Sequence, residues 1–186
     1  MRPEEFNLRP IEERDLDLVL SWRNSERVRS YMYTDHLIAP EEHRAWFART
    51  RDAEFPATLI FEYQGRQVGL KSFNQIDRHS NRCHWGFYLG DVELPRGCGT
   101  VMGFLAQEYI FEKQGVRKLC AEAFAFNEGS IKYHTRLGFA QEGRLVQHVL
   151  KNGRYEDVVV FATFKENWLA NKEALAAKIF REDAAQ

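Results

Sequence analysis

Residues 94–104 read LPRGCGTVMGF. Two glycines, Gly97 and Gly99, follow Arg96, and an apolar run of helical character begins at once. A helix N-terminus exposes unpaired N–H groups and about half a positive charge, so it draws an anion. Glycine removes the Cβ that would hold a phosphate away from those amides, and arginine adds a planar fork that grips phosphate oxygens. A helix start with an ordinary turn glycine is the alternative reading of such a pair. The commoner nucleotide loops do not fit: Gly103 is followed by Phe104-Leu105 rather than Lys-Ser/Thr, and it stands one residue too far for GxGxxG.

The hydrophobic pattern predicts a strand over 6–10, a helix within 11–24, and a second helix over 40–52 that opens with Pro40 and two glutamates. Residues 57–77 switch to β-branched and aromatic types around Gln64-Gly65 and predict a hairpin, with a further strand over 82–90. The quoted segment opens a helix over about 97–114, followed by a strand over 117–124 and a helix over 127–138 that stops at Gly138. Two strands around Asn152-Gly153 and a C-terminal helix over about 166–182 complete the chain. The order β-α-α-β-β-β-α-β-α-β-β-α is that of a mixed α/β domain, in which antiparallel strands precede one β-α-β-α unit.

Composition bounds the function. The chain has 186 residues, which is one domain's length, with 44% apolar and 28% charged side chains. A net charge of −1 offers no field for nucleic acid or an anionic membrane. No apolar run approaches the ~18 residues of a membrane span, and the start of the chain has no signal-like apolar region. Three cysteines without CxxC spacing suggest reduced thiols and a cytoplasmic setting.

Arg96-Gly97-Cys98-Gly99-Thr100 before a helix resembles the pyrophosphate loop of the GCN5-related N-acetyltransferases, Gln/Arg-x-x-Gly-x-Gly/Ala. About thirty residues on, Asn127-x-x-Ser130-x-x-x-His134-x-x-x-Gly138-Phe139 is similar to their second signature, in which many members carry tyrosine where His134 stands. Val101 likewise stands where the loop usually has Gly or Ala. The resemblance covers residues 6–165 and implies an α/β fold with a mixed, mostly antiparallel central sheet flanked by helices. It implies acetyl-CoA as donor and no metal. The pyrophosphate would lie on Arg96, Gly97, Cys98, Gly99 and Thr100. The pantetheine arm would run along Phe87, Tyr88 and Leu89, with Asn127 and Ser130 across from it. The acetyl carbonyl would meet amides near Tyr88.

A narrower likeness lies in SWRNSERVRSYMYTDHLIAPEEHRAWF (21–47), HWGFYLG (84–90), KLCAEAFAFNEGSIKYHTRLGF (118–139) and EGRLVQHVLKNGRYEDVVVF (142–161). These segments look like the acetyltransferases of pseudaminic acid biosynthesis. The likeness implies acetylation of the 4-amino group of UDP-4-amino-4,6-dideoxy-N-acetyl-β-L-altrosamine, a sugar nucleotide, and a role in flagellin glycosylation.

Acetyl transfer to an amine requires loss of the amine's proton, an oxyanion site and protonation of the leaving thiolate. Glu122, the one charge in LCAEAF, is the candidate base, with burial expected to raise its pKa; a glutamate facing solvent or paired with lysine is the alternative. His134 is the candidate acid and Tyr133 the second choice. For the acceptor, Arg23 is matched to the UDP phosphates and His43 to a phosphate or hydroxyl. Met32, Tyr33, Trp46 and Trp85 are matched to an apolar wall, and Asn74 to the sugar. For each aromatic, plain core packing is the alternative. Cys98 at a helix N-terminus has a second reading as a nucleophile. A ribosomal N-terminus or a polyamine is the alternative acceptor, and a non-catalytic CoA sensor is the alternative function. A polyamine site calls for acidic residues, whereas residues 9–44 are rich in arginine. A homodimer is the one protein partner considered.

Overall fold

The computed structural model describes residues 1–51 and 55–180. Its strands are β1 (Phe6–Pro10), β2 (Thr58–Tyr63), β3 (Arg66–Asp77), β4 (Arg82–Leu89), β5 (Lys118–Phe124), β6 (Ala140–Lys151) and β7 (Arg154–Phe164). The helices are α1 (Leu16–Asn24), α2 (Glu26–Arg29), α3 (Pro40–Arg51), α4 (Cys98–Glu108), α5 (Glu128–Arg136) and α6 (Lys165–Ile179). The predicted elements are all present, with a short α2 added. The expected end of the second helix at 52, and of the terminal helix at 181–182, lies outside the described residues.

The first helix begins later than its pattern suggests, because Glu13–Asp15 form a single 3₁₀ turn. There the carboxylate of Asp15 takes both terminal nitrogens of Arg9 at 2.7 and 2.8 Å, and this buried fork turns the chain from β1 into α1. The predicted helix over 97–114 is regular only to Glu108; Tyr109–Lys113 continue it as a wider π turn.

The described strands form one sheet in the order β1-β2-β3-β4-β5-β7-β6. Neighbours are antiparallel except β4 and β5, which are parallel because α4 carries the chain across between them. Strand β2 shows how the sheet is sealed on both sides. Leu59 and Phe61 enter the large cluster containing Val101, Met102 and Phe104 of α4, while Ile60 joins Val19, Trp22 and Leu70 on the α1 side.

One departure from a regular sheet creates the site. The β4–β5 ladder covers only Arg82–Lys118, Cys83–Leu119 and His84–Cys120. Beyond His84 the two strands diverge, and Trp85–Leu89 have no ladder partner on that side. Helices α4 and α5 both begin beyond this divergence and pack closely, because a Cβ on Gly103 would lie 2.3 Å from Leu137 Cδ1 and 2.5 Å from the Tyr133 hydroxyl. Gly103, of no use to a nucleotide loop, is a helix-packing glycine.

No described helix is long and apolar enough to cross a membrane.

Candidate functional site

The divergence of β4 and β5 opens into a cleft of about 810 Å³. Phe87, Tyr88, Leu89, Gly99, Asn127, Ser130, Tyr133 and His134 line it, together with Met32, Tyr33, Asn74, Trp85 and Glu122. The cleft therefore unites the strand and helix positions expected for the donor, and Gly99 of the loop, with four of those expected for the acceptor. A second cavity of about 1130 Å³ adjoins α4 from the other side; Arg96, Gly97 and Thr100 line it.

The glycine loop has the expected shape for a concrete reason. Gly97 adopts φ +104°, the left-handed region, and its carbonyl accepts the N–H groups of Thr100 and Val101 at 2.8 and 3.2 Å. Gly99 differs. A Cβ there would meet Leu89 and Tyr133 only at ordinary distances of 3.6 and 3.9 Å. Protein packing does not demand glycine at this position, and its bare backbone lines the cleft. With the unpaired edge of β4 opposite, the residues fit a pantetheine diphosphate. Sequence reasoning missed Arg136 and Lys178, which line the second cavity beside Arg96. They come from α5 and α6 and share no motif with the loop. Arg27 was missed as well: its Nη2 donates to the carbonyls of Leu89 and Gly90 at 2.9 and 2.6 Å and closes the end of β4.

Asn127 caps α5, its Oδ1 accepting the Ser130 N–H at 3.0 Å. Cys98 is buried, and burial raises its pKa, with Glu5 adding to the effect. The lowered pKa expected of a helix-end thiol is thus overturned by desolvation.

The proton-handling candidates are arranged differently from expectation. Trp85 donates its indole N–H to His134 Nε2 at 3.0 Å. The Nδ1–H of His134 in turn donates to the Ser130 carbonyl at 2.8 Å. Both ring nitrogens are engaged, the ring is neutral, and burial pushes its pKa down to about 4. The geometry leaves His134 no free N–H for a leaving sulfur. Tyr133 turns its hydroxyl into the α4–α5 interface, where it is buried without a hydrogen-bond partner among the described residues and its pKa is raised by burial.

Glu122 is neither sunk in the core nor paired with lysine. Its side chain is 27% exposed, Oε1 lies 4.0 Å from Nδ1 of His84, and Oε2 accepts the hydroxyl of Tyr33 in a short hydrogen bond. Burial and this carboxylate raise the Tyr33 pKa. The Tyr33 ring meets Phe124 edge-on, Phe124 stacks on Phe126, and Phe126 meets Tyr31 at centroid distances of 5.2, 5.0 and 6.1 Å. Tyr31, Tyr33 and Phe126 stay exposed, so an aromatic ladder stands at the edge of the cleft.

Three acceptor expectations are corrected. His43 lies in the α1–α3 interface, donating from Nε2 to the Leu16 carbonyl at 3.1 Å and stacked on Trp46. Trp46 packs against the small cluster on the α1 side. Arg23 is turned inward, with Nη2 donating to the Thr34 carbonyl at 3.4 Å. None of the three lines the cleft. They read as site residues because a His, Trp or Arg on a helix has the same spacing whether that helix faces a ligand or a neighbouring helix. Beneath the cleft, Lys71 is fully buried with its Nζ 2.9 Å from the Trp85 ring centroid and no hydrogen-bond partner among the described residues.

Among the described residues no group of three or more His, Cys, Asp or Glu is placed to hold a metal ion. Residues 5–140 match the model of the acetyltransferase (GNAT) domain. The spermidine N(1)-acetyltransferase of Escherichia coli is 24% identical over 177 residues, covering 95% of each chain. An uncharacterized prophage-derived N-acetyltransferase of Bacillus subtilis is 24% identical over 170 residues, covering 90% of this chain and 94% of its own. The crystal structure of spermidine N-acetyltransferase from Vibrio cholerae, in complex with CoA and spermine, superposes with a TM-score of 0.82 at 20% identity, covering 89% of this chain and 99% of that one.

Proposed function

The chain belongs to the acetyltransferase (GNAT) domain family, and we propose that its acceptor is an amino-sugar nucleotide, acetylated at the 4-amino group of UDP-4-amino-4,6-dideoxy-N-acetyl-β-L-altrosamine. The reaction class, acetyl transfer from acetyl-CoA to an amine, belongs to the family. The observation that carries the acceptor is the make-up of the cleft mouth. Glu122 is the one carboxylate among its described lining residues, while Tyr31, Met32, Tyr33 and Phe124 present apolar and aromatic surface. A polycation would meet a single negative charge there. A uracil ring and a 6-deoxy sugar find stacking faces.

In this reading acetyl-CoA supplies an activated thioester, and the chain positions it. Arg96, Gly97, Gly99 and Thr100 hold the diphosphate, joined by Arg136. The unpaired edge of β4 at Phe87 and Tyr88 takes the pantetheine arm, and amides near Tyr88 face the acetyl oxygen as negative charge develops on it. Glu122 is the anionic pole of the cluster that removes the amine's proton. Asn74 lies where the sugar would sit. The thiolate leaves and takes its proton from solvent. A likeness to spermidine acetyltransferases favours a second reading, in which a polyamine is the acceptor.

The test is a three-way assay of thiol release from acetyl-CoA with the 4-amino sugar nucleotide, spermidine and a ribosomal N-terminal peptide. Release with the sugar nucleotide alone is expected. Release with spermidine at a higher kcat/KM replaces the first reading by the second.

A further inference from the structure

We infer that the imidazole of His84 receives the proton of the attacking amine, with Glu122 as the carboxylate that holds and charges it. This rests on the acetyltransferase reading above and names the group within the proton-removing cluster that makes contact with the amine.

Three observations support it. The first is position. His84 is the last residue of the β4–β5 ladder, paired with Cys120, so its side chain stands where the strands part and lines the cleft. The second is the division of labour at Glu122. One oxygen is committed to the Tyr33 hydroxyl, and the other faces Nδ1 of His84 at 4.0 Å. A small rotation of either side chain closes that gap to a charge-assisted hydrogen bond. The third is availability. Unlike His134, whose two nitrogens are both engaged, His84 makes no hydrogen bond through Nε2 among the described residues. Its side chain remains 15% exposed, toward the cleft. A base oriented by a carboxylate, itself held by a third group, is the general arrangement of an activated proton acceptor.

The charges around the ring suit this task. Desolvation lowers the pKa of His84, Glu122 on β5 raises it, and Arg82 on its own strand and Lys118 on β5 lower it again. Asn74, opposite on β3, is neutral, and Tyr33 is held protonated by Glu122. The balance lies below the usual histidine value, so the ring is an unprotonated acceptor at neutral pH. In the step itself the neutral amine attacks the thioester carbon, the N–C bond forms and the C–S bond breaks. The amine's proton moves to Nε2 as Glu122 balances the imidazolium, and the CoA thiolate departs. The proton then returns through solvent to the thiolate, which completes amide and free thiol.

The experiment has two arms. In the first, kcat is measured against pH with whichever of the three amines the assay above turns over, for wild type, His84→Gln and Glu122→Gln. The expected result is a fall in kcat of about 10²-fold for His84→Gln with loss of the acid limb that wild type shows below pH 6.5, and an unchanged Kd for CoA by calorimetry. Glu122→Gln moves the limb to lower pH. A His84→Gln enzyme within about threefold of wild type, with the same limb, overturns the proposal. In the second arm, NMR titration of the His84 ring in the free enzyme needs no acceptor. Its pKa falls in Glu122→Gln if the pair is coupled, and an unchanged value overturns the proposal. Turnover of spermidine or peptide in place of the sugar nucleotide would sink the acceptor reading while leaving both arms readable.

Discussion

The indole N–H of Trp85 donates to Nε2 of His134 over 3.0 Å, joining β4 to α5 through the core beneath the cleft. Indole only donates, so the bond fixes which imidazole nitrogen is bare. The Ser130 carbonyl fixes the other, and the ring is locked in one neutral tautomer. A residue whose sequence position suggested an acid is a structural acceptor in this arrangement.

Acid stability follows from that locking. The folded-state pKa of His134, about 4, lies below the unfolded value of about 6.5. The unfolded chain therefore binds the proton first, and stability is intact above pH ~6.5 and lost as the pH falls toward about 4, by up to about 3 kcal/mol. Thermal melts at pH 7.5 and pH 5 should show a smaller drop for His134→Gln than for wild type. Equal drops would mean the ring is not held neutral.

Lys71 predicts a gain. Desolvation holds its pKa well below the ordinary lysine value, and its amine faces the Trp85 and Phe87 rings with no hydrogen-bond partner among the described residues. Because the folded pKa is depressed, the unfolded state binds more protons over the window below the ordinary lysine value, and stability rises with pH through it. Lys71→Met removes a buried unpartnered polar group whose cost is about 1–3 kcal/mol. Its urea midpoint at pH 7 should exceed that of wild type, and the rise of the midpoint between pH 7 and 9 should shrink.

The two glycines of α4 should respond in opposite ways. Gly99→Ala places a methyl at ordinary contact distances, so the Tm should hold or rise while the Kd for CoA increases about tenfold or more. Gly103→Ala drives a methyl into Leu137 and the Tyr133 hydroxyl and should cost about 1–3 kcal/mol of stability. Calorimetry with CoA and thermal melts on both variants separate the two effects.

Lys151, at the tip of the β6–β7 hairpin, is 4% exposed and donates to the carbonyls of Met32 and Arg29 at 2.7 and 3.4 Å. The next residue, Asn152, donates its N–H to Asp35 Oδ2 at 3.3 Å. The hairpin thus braces the loop that carries Met32 and Tyr33. Lys151→Met should raise the acceptor KM about fivefold or more with the acetyl-CoA KM unchanged, as expected when positioning of one substrate is lost. A matched rise in both KM values would point to general unfolding instead.

The sequence alone determined what depends on local spacing: the helix-and-strand order, the glycine loop at the mouth of α4, the Asn127 cap two turns before His134, and hence the acetyltransferase fold. Each of these signals is carried by a dozen residues or fewer, and period and cap chemistry are properties of the chain itself. Tertiary structure alone decided which polar side chains meet. His43 and Arg23 face inward because α1 packs on α3 and on the loop beyond. Glu122 gains Tyr33 and His84 as neighbours from segments 89 and 38 residues away along the chain. Burial, which sets the protonation of His134, Lys71 and Cys98, is a property of what the folded chain places around a group, and spacing along one element carries no record of it.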